Sequence, residues 1–568
     1  MYLGINAYSH DSSACLIDND GRIVAAAEEE RFTQKKHFSG FPELSIKYCL
    51  KTAGIRAEDL KGVAVGWSAK ELWFDRAIKE YVFQFHPPFY VYKKTLKKLY
   101  GLVTLNSLFE KKIGKLSSGI KMEYFSHHKA HAASAFYASG FDDAAFLTMD
   151  ARGEYYSSLW GEVDYQKGLD VKGNIYHPNS LGVIWGGISE YCGFKPGWQK
   201  AGTTMAYAAL GTPKYKEEMK KVMQFYPERD SNWLEVTTKY FRVADCKGEP
   251  KKLFEDLIGA PSAQPGKYEQ VHADVAASLQ EYTQDIILGK LNDIYKKTGK
   301  DKLVMAGGVC LNSVTNGLIL EKTPFKDFFI QPASHDAGVA IGAAYLLYQK
   351  FNNGKKPEPV NYAYFGPEYS QDEINLALLP HPELEIEIKD EVYKDTAKII
   401  ADGEVVMWFQ GRLEFGPRAL GSRSILASTV NKGMIDELNK TKYRESFRPF
   451  AISILESRTK DWLVQGNKSP YMLVVDHIKP EHKDKVPAAQ HVDGSVRVQT
   501  VNENDNGTYF KLLEEYERLT GIPLFINTSF NIKGLPIVNT PEQAIEAFLE
   551  SKDVRYLAMG NCLVAKKQ

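Results

Sequence analysis

Ser126-His127-His128-Lys129-Ala130-His131 carries two imidazoles four positions apart. On a helix that interval stacks His127 and His131 on one face, one turn apart, which is the spacing two ligands of one metal ion need, and it turns His128 elsewhere. The apolar run Asp143 to Met149 reads as a short buried strand that delivers Asp150 at its carboxyl end, where sites on open α/β sheets gather. Two histidines and a carboxylate with room for water suit Fe(II), Mn(II) or Zn(II) alike. A second set of residues is basic. The loop Gln410 to Arg423 contains Gly416-Pro-Arg418-Ala-Leu-Gly421, and Lys440, Lys442, Arg444 and Arg448 follow it. Converging, they form an anion pocket, because the planar arginine fork meets phosphate or a carbamate-like group bidentately. Arg497 and the run Asn527-Thr-Ser529-Phe-Asn531 add compact polar donors after a strand at Pro523 to Ile526.

Strands must position these groups. They are expected at Tyr2–Asn6, Ser12–Ile17 and Arg22–Ala27, the last two joined by the tight-turn signal Asp18-Asn-Asp-Gly21, which makes an antiparallel meander. The loop between the first two holds His10 and Asp11, and its backbone amides suit a phosphate. The same order recurs from Ala144: a strand to Asp150, a polar loop Ala151–Tyr155, and a returning strand from Ser157 to Glu162. This weak internal repeat is the layout of the actin-like, sugar-kinase-like superfamily. Further on come a helix over Tyr268–Thr298, a strand Lys302–Met305, the turn Ala306-Gly307-Gly308, a helix from Leu311, a strand Asp327–Gln331, and a helix to Lys350 with Asp336 at its start. Gly307-Gly308 lies where backbone can approach a nucleotide closely. The polar, Pro/Gly-bearing stretch Asn352–Pro359 is the best linker, dividing residues 1–350 from 366–568 across a connection at 351–365. Between Trp73 and Phe109 an aromatic and basic stretch reads as a lid or acceptor-binding insertion, or as a packing appendage or homodimer surface.

Composition narrows the class. The chain has 568 residues, 44% hydrophobic and 25% charged, which is globular usage with length for more than one core. Lys+Arg and Asp+Glu both number 71, so no net field draws the chain to nucleic acid or an anionic membrane. The opening residues resemble no signal peptide and no run reaches a membrane span of about 18 apolar residues, so a cytoplasmic protein is expected. Cysteines at 15, 49, 192, 246, 310 and 562 form no CxxC pair and suit reduced thiols.

Taken together, Gly4-Ile-Asn6 with His10-Asp-Ser-Ser-Ala14, Glu28-Glu-Glu-Arg-Phe-Thr33 with Lys36-His37, His127-x3-His131-Ala-Ala-Ser, Ala306-Gly-Gly-Val, Gly416-Pro-Arg-Ala-Leu-Gly421, Phe447-Arg-Pro-Phe450 and Asn527-Thr-Ser-Phe-Asn531 resemble the nodulation-protein and antibiotic-type O-carbamoyltransferases. The resemblance spans nearly the whole chain. It implies an α/β protein with an N-terminal actin-like domain of two RNase H-like lobes, similar to the metal-binding domain of tRNA threonylcarbamoyladenosine synthases, and a C-terminal α+β YrdC-like domain. It implies that carbamoyl phosphate and ATP with Mg form carbamoyl adenylate in the second domain, and that an acceptor hydroxyl is carbamoylated at the metal site of the first. The implied metal ligands are His127, His131, Asp150 and Asp336, with Fe(II) the expected ion. His10 and Lys36 would face the carbamoyl group or acceptor. Gly307, Gly308 and Asn312 would contact nucleotide, and Arg418, Lys442, Arg448, Arg497, Asn527 and Ser529 would line the activation pocket.

The sequence departs from the family pattern at Ala151-Arg152, where a glycine usually follows the strand-end aspartate, at Thr203 in place of a lysine, and at Leu535 in place of a glutamate. Competing readings are an actin-like sugar kinase or ATPase, a tRNA-modifying threonylcarbamoyl enzyme, and a metal or nucleotide sensor. Of these, a kinase or sensor has no need of the Gly-Pro-Arg-Ala-Leu-Gly segment. The acceptor is not readable from the residues.

Overall fold

The computed structural model describes residues 1–73, 89–237, 250–532 and 534–567, with side chains at 89–94 and 250–251 excluded. Residues 74–88 of the aromatic stretch and Cys246 lie outside the described residues. The chain separates into two compact units, Met1–Glu29 with His37–Val360, and Glu30–Lys36 with Asn361–Gln568. Thus a short N-terminal segment belongs with the C-terminal unit, an exchange that a division into consecutive stretches does not anticipate.

The first unit contains two five-stranded sheets with one plan. In the first, β1 (Tyr2–Asn6), β2 (Ser13–Ile17), β3 (Ile23–Glu28), β4 (Gly62–Val65) and β5 (Met122–Tyr124) lie in the order β3-β2-β1-β4-β5. β1–β2 and β2–β3 are antiparallel, whereas β1–β4 and β4–β5 are parallel. The second comprises β6 (Asp143–Met149), β7 (Tyr156–Asp164), β8 (Gly168–Tyr176), β11 (Lys302–Ala306) and β12 (Asp327–Ile330), in the order β12-β11-β6-β7-β8. Again two antiparallel strands flank the first strand on one side and two parallel strands on the other. The internal repeat expected from the sequence is therefore present as topology. A two-stranded ribbon, β9 (Met223–Phe225) and β10 (Leu234–Val236), is inserted in the second copy.

Both copies put polar residues at the ends of apolar strands, so burial of Leu3, Ile5, Phe146 and Leu147 fixes where the site residues emerge. The helix His127–Ser139 is rich in alanine and stops at Gly140, which adopts a left-handed φ of 75°. It packs against the helix Val339–Asn352. That approach is as close as backbone allows: a Cβ on Gly342 would lie 1.7 Å from the Ala130 carbonyl oxygen. The helix expected from Leu311 is broken into short pieces, a 3₁₀ turn at Gly308–Leu311 and single turns at Ser313–Asn316 and Ile319–Lys322. Gly and Asn around those residues leave no room for a longer apolar face.

The second unit is built on one mixed nine-stranded sheet: β13 (Leu384–Ile388), β14 (Val406–Phe409), β15 (Arg423–Ala427), β16 (Ala451–Leu455), β17 (Val474–His477), β18 (Ser495–Val501), β19 (Leu524–Ser529), β20 (Tyr556–Met559) and β21 (Cys562–Lys566). Their order is β13-β21-β20-β14-β15-β19-β16-β18-β17. Apolar clusters around Met407 and Phe548 and around Trp408 and Tyr516 are its cores. Among the described residues no helix is long and apolar enough to cross a membrane.

Candidate functional site

In the first unit the strand–loop–helix plan brings four donors together. His127 and His131 project from one face of their helix, Asp150 follows β6, and Asp336 begins the turn that leads into Val339–Asn352. His127 Nε2 lies 3.1 Å from His131 Nε2, 3.3 Å from Asp150 Oδ2 and 3.5 Å from Asp336 Oδ1. His131 Nε2 is 3.5 Å from Asp150 Oδ2 and 3.9 Å from Asp336 Oδ1. One ligand atom from each of the four lies within 4.8 Å of the others, and all four residues are buried. Asp336 Oδ1 is buried without a hydrogen-bond donor. Two ring nitrogens and two carboxylates facing one point are a donor set for a divalent transition-metal ion. Burial disfavours the His127 cation, but Asp336 and Asp150 outweigh it and raise the imidazole to about 9. Burial and Asp336 press the Asp150 carboxyl upward, yet the two histidines hold it at about 2.

The support around this cluster is specific. Glu154 accepts the amides of Ser68 at 2.7 Å and of His127 at 3.1 Å, so one buried carboxylate anchors the start of the histidine helix. Trp67 stacks on His127 with centroids 4.0 Å apart, and its indole N–H donates to Asn6 Oδ1. His128 is spent elsewhere, between Thr148 Oγ1 and the Tyr156 carbonyl, each at 2.9 Å. Burial lowers it to about 3. Gly307 takes a φ of 102° and a Cβ there would lie 2.1 Å from the Met149 carbonyl, so the turn is pressed on the strand end that carries Asp150. A Cβ on Gly308 would stand 3.2 Å from Asp150 Oδ1. Asn312 caps the following turn and pairs with Gln280, its amide and carbonyl both engaged inside the protein. Ala151 is seated by Ser180, whose hydroxyl donates to its carbonyl at 2.7 Å.

His10 stands at the rim of this unit's site. Its Nε2 is 3.7 Å from Asp336 Oδ2, and its Nδ1 is 2.7 Å from Asp11 Oδ2, while Ser9 donates to the same Asp336 oxygen at 2.6 Å. Asp11 also receives His37 Nδ1 at 2.7 Å. Trp198, half-exposed, packs on both rings, 5.3 Å from His10 and 5.0 Å from His37. Burial opposes the His10 cation, but Asp336 and then Asp11 override it and raise the group to about 10. An imidazole so held donates a hydrogen bond at neutral pH.

In the second unit the basic residues converge. Burial and the neighbouring Arg448 guanidinium lower Arg418 to about 10. Burial followed by Arg418, Arg444 and Arg448 lowers Arg497 well below its usual value. Burial followed by Arg444, Arg448 and Lys36 does the same to the Lys442 ammonium. Arg418 Nε and Arg497 Nε are buried without acceptors. Lys442 donates to the Ser529 carbonyl and to Asn531 Oδ1, the latter at 2.8 Å, and Ser529 Oγ donates to Asn531 Oδ1 at 2.7 Å. Lys36, from the exchanged segment, thus joins this basic set and is itself exposed. Asn527 is fully buried, its side-chain amide donating to Gln499 at 2.9 Å and Ser453 at 3.1 Å, so it braces β19 against β16 and β18.

Glu154 was missed by residue-pattern reasoning, since it works by collecting backbone hydrogen bonds, which leaves no spacing signature. Two family profiles match the chain. The family profile described as Carbamoyltransferase N-terminus matches residues 1–345, and that described as Carbamoyltransferase C-terminus matches residues 397–566. An uncharacterized protein of Synechocystis sp. is 37% identical, with 99% of this chain and 96% of that protein aligned. Nodulation protein NolNO of Sinorhizobium fredii is 33% identical over 99% of this chain and 80% of its own length. Nodulation protein NolO of Bradyrhizobium diazoefficiens is 34% identical over 78% of this chain and 79% of its own.

Proposed function

The chain belongs to the carbamoyltransferase family and is a carbamoyltransferase, and on that premise we propose that its C-terminal unit activates carbamoyl phosphate with ATP while its N-terminal unit transfers the carbamoyl group to an acceptor hydroxyl. The observation that carries this reading is the convergence of Arg418, Lys442, Arg444, Arg448 and Arg497. Crowded like charges partly withdrawn from water destabilise one another, and the arrangement becomes favourable when polyanions occupy it. Carbamoyl phosphate and ATP are such anions, and each alone would repel the other without preorganised positive charge. Atom balance sets the sequence: water cleaves carbamoyl phosphate to inorganic phosphate and carbamate, a carbamate oxygen attacks the α-phosphorus of ATP, and pyrophosphate departs to leave carbamoyl adenylate. Arginine forks orient the phosphates, and Lys442 with Ser529 supplies a compact donor beside them.

In the N-terminal unit His127, His131, Asp150 and Asp336 would hold a divalent ion, Fe(II) or else Mn(II) or Zn(II). Such an ion supplies Lewis-acid polarisation of a carbonyl oxygen. The residues around it orient the acceptor: Asp11 fixes the His10 ring, and His10 Nε2 is the group that takes the proton of the acceptor hydroxyl. A divalent ion held by Asp336 would weaken that carboxylate's hold on the His10 proton and so bring the imidazole back toward the range where it acts as a base. The carbamoyl carbon–oxygen bond to the acceptor forms, and AMP leaves. Incubating the protein with ATP and carbamoyl phosphate tests the reading: release of pyrophosphate and orthophosphate supports it, whereas ADP as the nucleotide product assigns the chain to kinase-type chemistry.

A further inference from the structure

Arg418 sits on an irregular loop, and the bonds that hold the loop come from two sides. After Arg418, one oxygen of the buried Glu414 accepts the amides of Leu420 at 2.8 Å, Ser422 at 2.7 Å and Arg423 at 3.2 Å. The Leu420 carbonyl receives Tyr364 Oη and Gln499 Nε2, both at 2.8 Å. Before Arg418, the Gly416 carbonyl accepts Arg31 Nη2 at 2.8 Å. Arg31 comes from the segment Glu30–Lys36 that clusters with the second unit, and its side chain is 4% exposed. Its Nη1 meets Glu30 Oε1 at 2.8 Å, and Gln34 of the same segment bonds Gln543 at 3.1 Å.

We propose that Arg31 is a positioning residue for the anion site, holding the Gly416 end of the loop while Glu414 holds the Leu420–Arg423 end, so that Arg418 is presented at a fixed place. The inference rests on the reading of the basic set as the site of carbamoyl phosphate and ATP. Arg31 acts through backbone: its guanidinium is engaged by the Gly416 carbonyl and by Glu30. Only Pro417, whose ring fixes φ, lies between Gly416 and Arg418, so a shift of one displaces the other by a comparable distance. A clamp is needed there because Arg418 is repelled by Arg448, and the backbone pairing with Ala363–Pro367 ends at Phe415, whose N–H donates to the Ala363 carbonyl at 2.7 Å, leaving no helix or strand between Gly416 and Ser422 to oppose that force. The fork of arginine matters: one nitrogen takes the carbonyl while the other takes the carboxylate, a pairing a lysine point charge reproduces only in part.

The test measures initial rates of pyrophosphate release against carbamoyl phosphate concentration for wild-type protein, Arg31→Ala, Arg31→Lys and Glu414→Gln. Loss of positioning raises the KM for carbamoyl phosphate about tenfold in Arg31→Ala, with a smaller fall in kcat, because misplaced anion contacts weaken binding. Arg31→Lys falls between, and added methylguanidinium lowers the KM of Arg31→Ala. A merely structural Arg31 instead lowers kcat through loss of active protein and leaves KM unchanged, and that result overturns the inference. If Arg31→Ala is insoluble, the KM of Arg31→Lys decides by the same criterion. Wild-type protein that releases no pyrophosphate overturns the two-step reading and this inference together, whereas a normal wild-type rate with unchanged KM in the variants overturns the inference alone.

Discussion

The histidine–aspartate cluster is buried and the arginine–lysine cluster largely half-buried, and they balance charge in opposite ways. Around Asp150 and Asp336 the carboxylates are matched by His127, and the imidazole is raised to about 9 to do so. Around Arg418 and Arg497 the neighbours are further cations, and they push one another's proton affinity down. The first arrangement is self-compensated and suits a resident ion that replaces a proton. The second keeps an excess of positive charge beside the one carboxylate of Glu445, 3.6 Å from Arg448, and suits substrates that arrive as anions and leave as products. Hence one cluster reads as a cofactor site and the other as a substrate site.

The sharpest way to break the comparison is at the donor set. Asp336→Asn and His131→Ala should each remove the bound metal, measured by elemental analysis, and abolish acceptor carbamoylation while pyrophosphate release persists. Next in size, His10→Asn should slow carbamoylation by ~10²–10⁴, the usual contribution of a positioned base, with activation of carbamoyl phosphate retained. Arg418→Ala and Arg448→Ala should slow pyrophosphate release by about 10²–10³, as expected for a lost preorganised donor, keep the metal, and regain transfer when synthetic carbamoyl adenylate is supplied.

The smallest effect concerns protons. Lys442 has its proton affinity lowered by burial and by Arg444, Arg448 and Lys36, so the free protein releases a proton that a bound polyanion draws back. ATP binding should take up protons at pH values between that lowered value and the ordinary lysine range, and none well below it, where Lys442 is already charged. Calorimetry of ATP binding in buffers of different ionisation enthalpy measures the uptake, and Lys442→Gln should diminish it.

Much of the first unit was legible because its signals are local. Apolar runs of five to seven residues gave β1, β2 and β6 nearly to the residue, and the four-residue interval of His127 and His131 needs only helical geometry. Asp336 was legible chiefly through family resemblance, since its partners lie about 200 residues away and meet it through the packing of Gly342 on Ala130. The second unit was less legible. Its basic residues announced an anion site, but which of the polar neighbours face it depended on long-range sheet register: Asn527 is turned to Ser453 and Gln499 by the pairing of β19 with β16 and of β16 with β18. The placement of Glu30–Lys36 with the C-terminal unit has no local signature at all.

The claim that two chemistries occupy two units is tested most directly by removing the metal from the intact protein with a chelator and assaying both half-reactions in parallel. Division of labour requires pyrophosphate release from ATP and carbamoyl phosphate to continue at its original rate while acceptor carbamoylation stops and returns on adding Fe(II) or another fitting divalent ion. Equal loss of both activities, or full carbamoylation by metal-free protein, would contradict it.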